Sequence, residues 1–129
     1  MKVEYLPDGS PDCPLVRLYG FTTDDAISLH RVCCLLAEGA TAQIVLTDQD
    51  WVEAVGDVSV VLRAENREGG MSESGPGEFR WVLNASSWGR VAGLVEPFAQ
   101  QHRGGFQWLD DATRAGDGLP VLMSFTGQW

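Results

Sequence analysis

Residues 15–39 read LVRLYGFTTDDAISLHRVCCLLAEG, and this stretch decides the fold. In Leu15 to Phe21, the residues Arg17, Tyr19 and Phe21 alternate with Val16, Leu18 and Gly20, the two-residue period of a strand. Both faces carry apolar groups, so the strand is expected in the middle of its sheet. Thr22 then has the chemistry of an N-cap, and Asp24 and Asp25 fall in the first turn, where the helix dipole favours negative charge. Leu29, Val32, Cys33 and Leu36 follow at i, i+3, i+4 and i+7, which is one face of a helix, and Gly39 closes it.

Working outward, Ile44 and Leu46 mark a second strand and Val58, Val60 and Leu62 a third. The run NREGGMSESGPG, Asn66 to Gly77, is rich in Gly, Ser and Glu and reads as a surface linker over 66–76. The pattern then restarts. Phe79, Trp81 and Leu83 stand 62 positions after Arg17, Tyr19 and Phe21. Asn84 replaces Thr22 as the cap, and Val91, Leu94, Val95 and Phe98 repeat the helical face. Phe106 and Trp108 take the places of Ile44 and Leu46, Asp110 that of Asp48, and Val121 to Phe125 supply a last strand. Pro97 lies inside the second helix, where its ring meets the carbonyl of Gly93 and a kink is expected. Val3 to Leu6 adds a candidate edge strand. The chain is thus read as one α+β domain, residues 1–129, made of two consecutive β-α-β-β units over 15–63 and 77–126. The expected product is a mixed, largely antiparallel sheet of six or seven strands with both helices on one face.

Composition narrows the function classes. Among 129 residues, 44% are hydrophobic and 21% charged, which suits a chain that buries its own core without disulfides or metals. The formal net charge is −9, and no two of the nine basic residues are adjacent, so a nucleic-acid backbone is not an expected partner. An acidic balance suits a cationic ligand or a basic protein. Cys13, Cys33 and Cys34 form no disulfide framework, Met1 to Asp12 has no apolar signal region, and no run is long enough to span a membrane. A cytoplasmic protein is expected, with no cofactor and no metal.

Two strand-helix-strand-strand units in tandem resemble the gyrase-inhibitor-like and effector-binding regulatory domains, at the level of element order. The resemblance implies a groove between the units that receives a small hydrophobic or cationic ligand, often anchored on a glutamate. Trp51 sits in a loop with Asp48, Asp50 and Glu53, the combination that a cationic-ligand pocket or a protein hot spot uses. Trp51, Glu53 and Trp88 are therefore the candidate ligand residues, whereas Trp81 and Trp108 fall on regular strand positions and are expected in the core. Ile27, Cys34 and Leu35 lie off the main face of the first helix and suggest a homodimer or partner interface. His30 and Cys34, four residues apart, and His102 are the only groups suited to a small enzyme at neutral pH. Three readings stand open: a module for a small ligand, an acidic immunity- or adaptor-type protein for a basic partner, and an enzyme of unknown reaction.

Overall fold

The computed structural model describes residues 1–100, 104–112 and 118–129. Helix α1, Thr23–Ala37, starts on a complete capping box: Asp25 N–H donates to Thr22 Oγ1 at 3.1 Å, and Thr22 N–H donates to Asp25 Oδ2 at 3.0 Å. Its buried face is Ala26, Leu29, Val32, Cys33 and Leu36, and Gly39 leaves the helix at φ 75°, a conformation that favours glycine. Helix α2, Ala85–Gln100, starts on Asn84, whose Oδ1 accepts from Ser87 N–H at 2.9 Å, and continues through Pro97. It buries Trp88, Val91, Ala92, Val95 and Phe98.

The strands divide into two mixed sheets instead of one sheet of six or seven. The five-stranded sheet has the order β4 (Glu53–Ala54), β1 (Lys2–Leu6), β2 (Leu15–Tyr19), β9 (Val121–Ser124) and β8 (Phe106–Trp108). The four-stranded sheet has the order β3 (Gln43–Val45), β5 (Ser59–Ala64), β7 (Glu78–Leu83) and β6 (Gly70–Gly75). Each helix carries the chain from one sheet to the other, so β2 pairs in parallel with β9 and β7 in parallel with β5. The halves are interlocked: β2 of the first half shares a sheet with β8 and β9 of the second, and β7 of the second shares one with β3 and β5 of the first. Local patterning specifies the strands but not this exchange, because every one of these pairings is long-range.

Residues 66–76 are not a linker throughout. Gly70–Gly75 pairs antiparallel with β7 and buries Met71, while Gly70 packs against Gly118. Its Gly, Ser and Glu content is poor in strand propensity, and tertiary pairing overrides that preference. Gly77 turns the hairpin at φ 75°, with the Asp57 carbonyl where a β-carbon would go.

A common offset of 62 holds for the caps and helices but not for the strands. Leu18 pairs with Met123 and Trp81 with Leu62, all buried, whereas Arg17 and Tyr19 point to the outer face of their sheet. Gly20, at φ 60°, inserts one residue between strand and cap, and a slip of one residue turns every strand side chain to the opposite face. Likewise the buried leucines that open two short 3-10 helices, Leu46–Asp48 and Leu109–Ala112, are 63 positions apart. Trp108 is consequently half-buried rather than core, and Phe106 is 49% exposed.

One apolar core joins both sheets and both helices. Phe21 packs edge-on to Phe98 and Phe125, Tyr5 lies 4.8 Å from Phe79 across the two sheets, and Trp81 meets Trp88 at 5.0 Å. On the outer face of the five-stranded sheet, Arg17 is held by Glu4 and by the Gly127 carbonyl and lies 4.2 Å over the Tyr19 ring.

Candidate functional site

The concavity that takes in Trp51 and Leu35 among the candidate residues lies between α1 and the segment after β3. Ser28, Arg31, Val32 and Leu35 follow one another at i, i+3, i+4 and i+7, so α1 presents them as a second face beside its core face. Ile44, Gln49 and Trp51 close the other wall, and the groove measures about 260 Å³. The Trp51 wall is braced. Gln49 donates from Nε2 to the Val45 carbonyl at 3.1 Å, Val52 N–H donates to the Gln49 carbonyl at 3.0 Å, and Thr47 Oγ1 accepts from Val60 N–H at 3.2 Å. The Met1 ammonium donates to the Trp51 carbonyl at 2.8 Å and to Asp25 Oδ2 at 2.9 Å, which ties this loop to the start of α1.

The electrostatics around the groove are mixed. Arg31 is exposed and makes no ion pair among the described residues. Asp24 lies one turn before Ser28 on α1, and Asp48 and Asp50 flank Gln49; all three are exposed. Burial tends to raise the Asp25 carboxyl, but hydrogen bonds from Thr22 and the pull of the Met1 ammonium outweigh it and hold its pKa below the ordinary value.

The candidate residues are not brought together. Trp51 lines the groove. Glu53 is exposed on β4 and does not line it. Trp88 is wholly buried, and its indole N–H is committed to the Arg63 carbonyl at 2.9 Å. Its position at the helix start faces the interlocked sheets, so it serves packing. Leu35 belongs to the groove wall, Ile27 stays 40% exposed, and Cys34 packs at the core margin on the side facing α2, where Ala37 approaches Gly89. Cys34 Sγ lies 3.8 Å from His30 Nδ1, yet burial and the carboxylates of Glu38 and Glu96 raise its pKa, which disfavours the reactive thiolate. Burial also raises the pKa of Cys33. His102 lies outside the described residues. Among the described residues no three His, Cys, Asp or Glu side chains gather as a metal cluster, and no helix is long and apolar enough to cross a membrane.

Asp48 and Asp110, paired at the offset of 62, are not structural counterparts: counted from Leu46 and Leu109, Asp110 matches Thr47, and each of these two accepts from a strand N–H. Asp110 is half-buried, accepts from Val121 N–H at 3.0 Å, and has its pKa raised chiefly by burial, whereas Asp48 is exposed. The residues that sequence reasoning passed over are Ser28, Arg31 and Gln49. The signal for the helical ones was present, since Ser28, Arg31, Val32 and Leu35 repeat the spacing used to find the core face. A second open groove, about 500 Å³, lies over the five-stranded sheet between Ser10–Asp12 and Gly127–Trp129, with Trp129 Nε1–H donating to Asp12 at 2.8 Å. Neither the family models, nor the curated proteins, nor the solved structures compared with this chain gave a match.

Proposed function

We propose that this protein is a non-enzymatic binding module that receives a basic partner protein at the Trp51 groove. The observation that carries the reading is the groove itself: a half-buried tryptophan on a braced wall, with exposed Asp24, Asp48 and Asp50 on the framing elements. At about 260 Å³ it is smaller than the roughly 300–1,000 Å³ of sites that engulf small molecules. That size suits one anchoring side chain of a protein, the usual form of an interface hot spot. The surrounding carboxylates then serve to steer a basic partner toward it. A small cationic ligand, the occupant implied by the resemblance to effector-binding domains, loses support because Glu53 and Trp88 stand elsewhere. An enzymatic reading loses support because the His30–Cys34 pair is not tuned toward thiolate. The near-matching order of elements in the two halves supports reading them as duplicated units.

The test is a photo-crosslinking residue placed at Arg31, on the groove rim, in the native host, with a control at Arg80 on the outer face of the four-stranded sheet. One discrete basic protein adduct at position 31, absent at 80 and lost when Trp51→Ala is added, is the expected result. An equal yield at both positions, or no protein adduct, refutes the reading.

A further inference from the structure

The groove beside Trp51 has a partial counterpart in the second half, where an exposed arginine lies along the helix. Ala26, Leu29, Cys33 and Leu36 of α1 and Trp88, Val91, Val95 and Phe98 of α2 are buried, and each is 62 positions from its match. On that correspondence Arg90 stands where Ser28 stands. Arg90 lays its side chain along the helix and donates from Nε to the Ala112 carbonyl at 2.9 Å, from Nη2 to Ser87 Oγ at 3.0 Å, and from Nη1 to Ser86 Oγ at 3.4 Å. Ala112 ends the second 3-10 helix. Counting from the buried leucines that open both 3-10 helices, its match in the first half is Gln49.

Ser28 and Gln49 both line the Trp51 groove. The first half therefore has the corresponding positions without the arginine that bridges them. It also has carboxylates, Asp24 and Asp25, at the positions of the hydroxyls of Ser86 and Ser87. Asp25 is engaged by Thr22 and the Met1 ammonium, whereas Asp24 is exposed and in no ion pair among the described residues. Trp51 adds an aromatic face of the kind that attracts a guanidinium.

We propose that the partner inserts an arginine side chain into this groove, its stem against Trp51 and its guanidinium beside Ser28, donating to the Asp24 carboxylate and the Gln49 carbonyl. The partner's arginine takes on α1 the place that Arg90 takes along α2. This rests on the function proposed above and names the anchor. Arg31 at the rim opposes any cation. A planar, weakly hydrated guanidinium beside an aromatic face tolerates that neighbour better than a compact ammonium does, so arginine is favoured over lysine.

The probe is the peptide Lys-Gly-Gly-Arg-Gly-Gly-Lys, compared with the same peptide carrying citrulline, an uncharged isostere, in place of arginine. Binding is read from the amide signals of Ser28 and Gln49 and the indole N–H signal of Trp51 in nitrogen-15 NMR spectra. The arginine peptide is expected to shift these signals and to bind about tenfold more tightly than the citrulline peptide. Ser28→Arg is expected to abolish the shifts by supplying the missing side chain in cis. Its arginine lies four residues after Asp24, the favourable order for a helical ion pair, so the fold is retained. Should Ser28→Arg not fold, Trp51→Ala leaves α1 untouched and is expected to weaken the arginine peptide to the citrulline level. Equal binding of the two peptides, or unchanged shifts in the folded Ser28→Arg protein, overturns the arginine anchor. A cross-linked partner at position 31 that still binds Ser28→Arg sinks this inference alone. Arginine-selective shifts without any cross-linked partner support the arginine anchor and sink the protein-partner reading.

Discussion

Asp25→Ala removes three roles at once. The carboxylate accepts from Thr22 N–H at 3.0 Å, accepts from the Met1 ammonium at 2.9 Å, and lies in the first turn of α1. Loss of a capping interaction costs about 1 kcal/mol, and a part-exposed ion pair about 0.5–1 kcal/mol. Alanine returns about 0.5 kcal/mol through its better helix propensity. The expected net loss is about 1–1.5 kcal/mol, which lowers Tm by about 4–6 °C in a chain of this length. The dependence on pH has a definite sign. The folded pKa of Asp25 lies below the unfolded one, so its stabilisation is complete above the unfolded value of about 3.9. It is lost as pH falls through the lowered folded value, where the carboxyl protonates and releases the ammonium. Urea melts of both proteins at pH 7 and at about pH 2.5 provide the assay. The gap between wild type and variant is expected to be open at pH 7 and to narrow at the acid end. A gap of equal size at both pH values, or one under about 0.5 kcal/mol at pH 7, refutes the reasoning.

Two further outcomes check other parts of the structure. Gly77→Ala is expected to cost more than about 2 kcal/mol in chemical denaturation, because it combines a left-handed backbone with a clash against the Asp57 carbonyl; a neutral effect contradicts the β6–β7 turn as described. Cys34 is expected to be alkylated by iodoacetamide at pH 7.4 several-fold more slowly than a free cysteine peptide, with the rate rising toward alkaline pH, and Cys33 not at all while folded; rapid alkylation of Cys34 at neutral pH would restore the thiol-enzyme reading.

Both helices were legible in the sequence because their information is local. Thr22, Asp25 and Asn84 announce the starts, and the buried faces follow at helical spacing. The strands were legible as segments but not as faces. Gly20 adds one residue between strand and cap, so the alternation that matched Arg17 to Phe79 placed an outward arginine opposite an inward phenylalanine. The division into two sheets was not legible, because the exchange of β9 and β5 between halves is decided by pairings far apart in the chain. β6 was hidden by a composition that favours loops and becomes a strand only through β7 and the burial of Met71. At the candidate site, Trp51 was singled out by its company of acidic residues, and it lines the groove. Its neighbour Ser28 was signalled only by the helical spacing it shares with Arg31, Val32 and Leu35, and Gln49 by nothing in its own chemistry.

Native mass spectrometry of the protein, purified gently from its own host beside the Trp51→Ala variant, tests the central claim most directly. The expected result is a complex with one basic protein for the wild type, weakening as salt rises, and a bare chain for the variant. A bare wild-type chain, a retained small-molecule mass, or a protein complex that survives Trp51→Ala unchanged would contradict it.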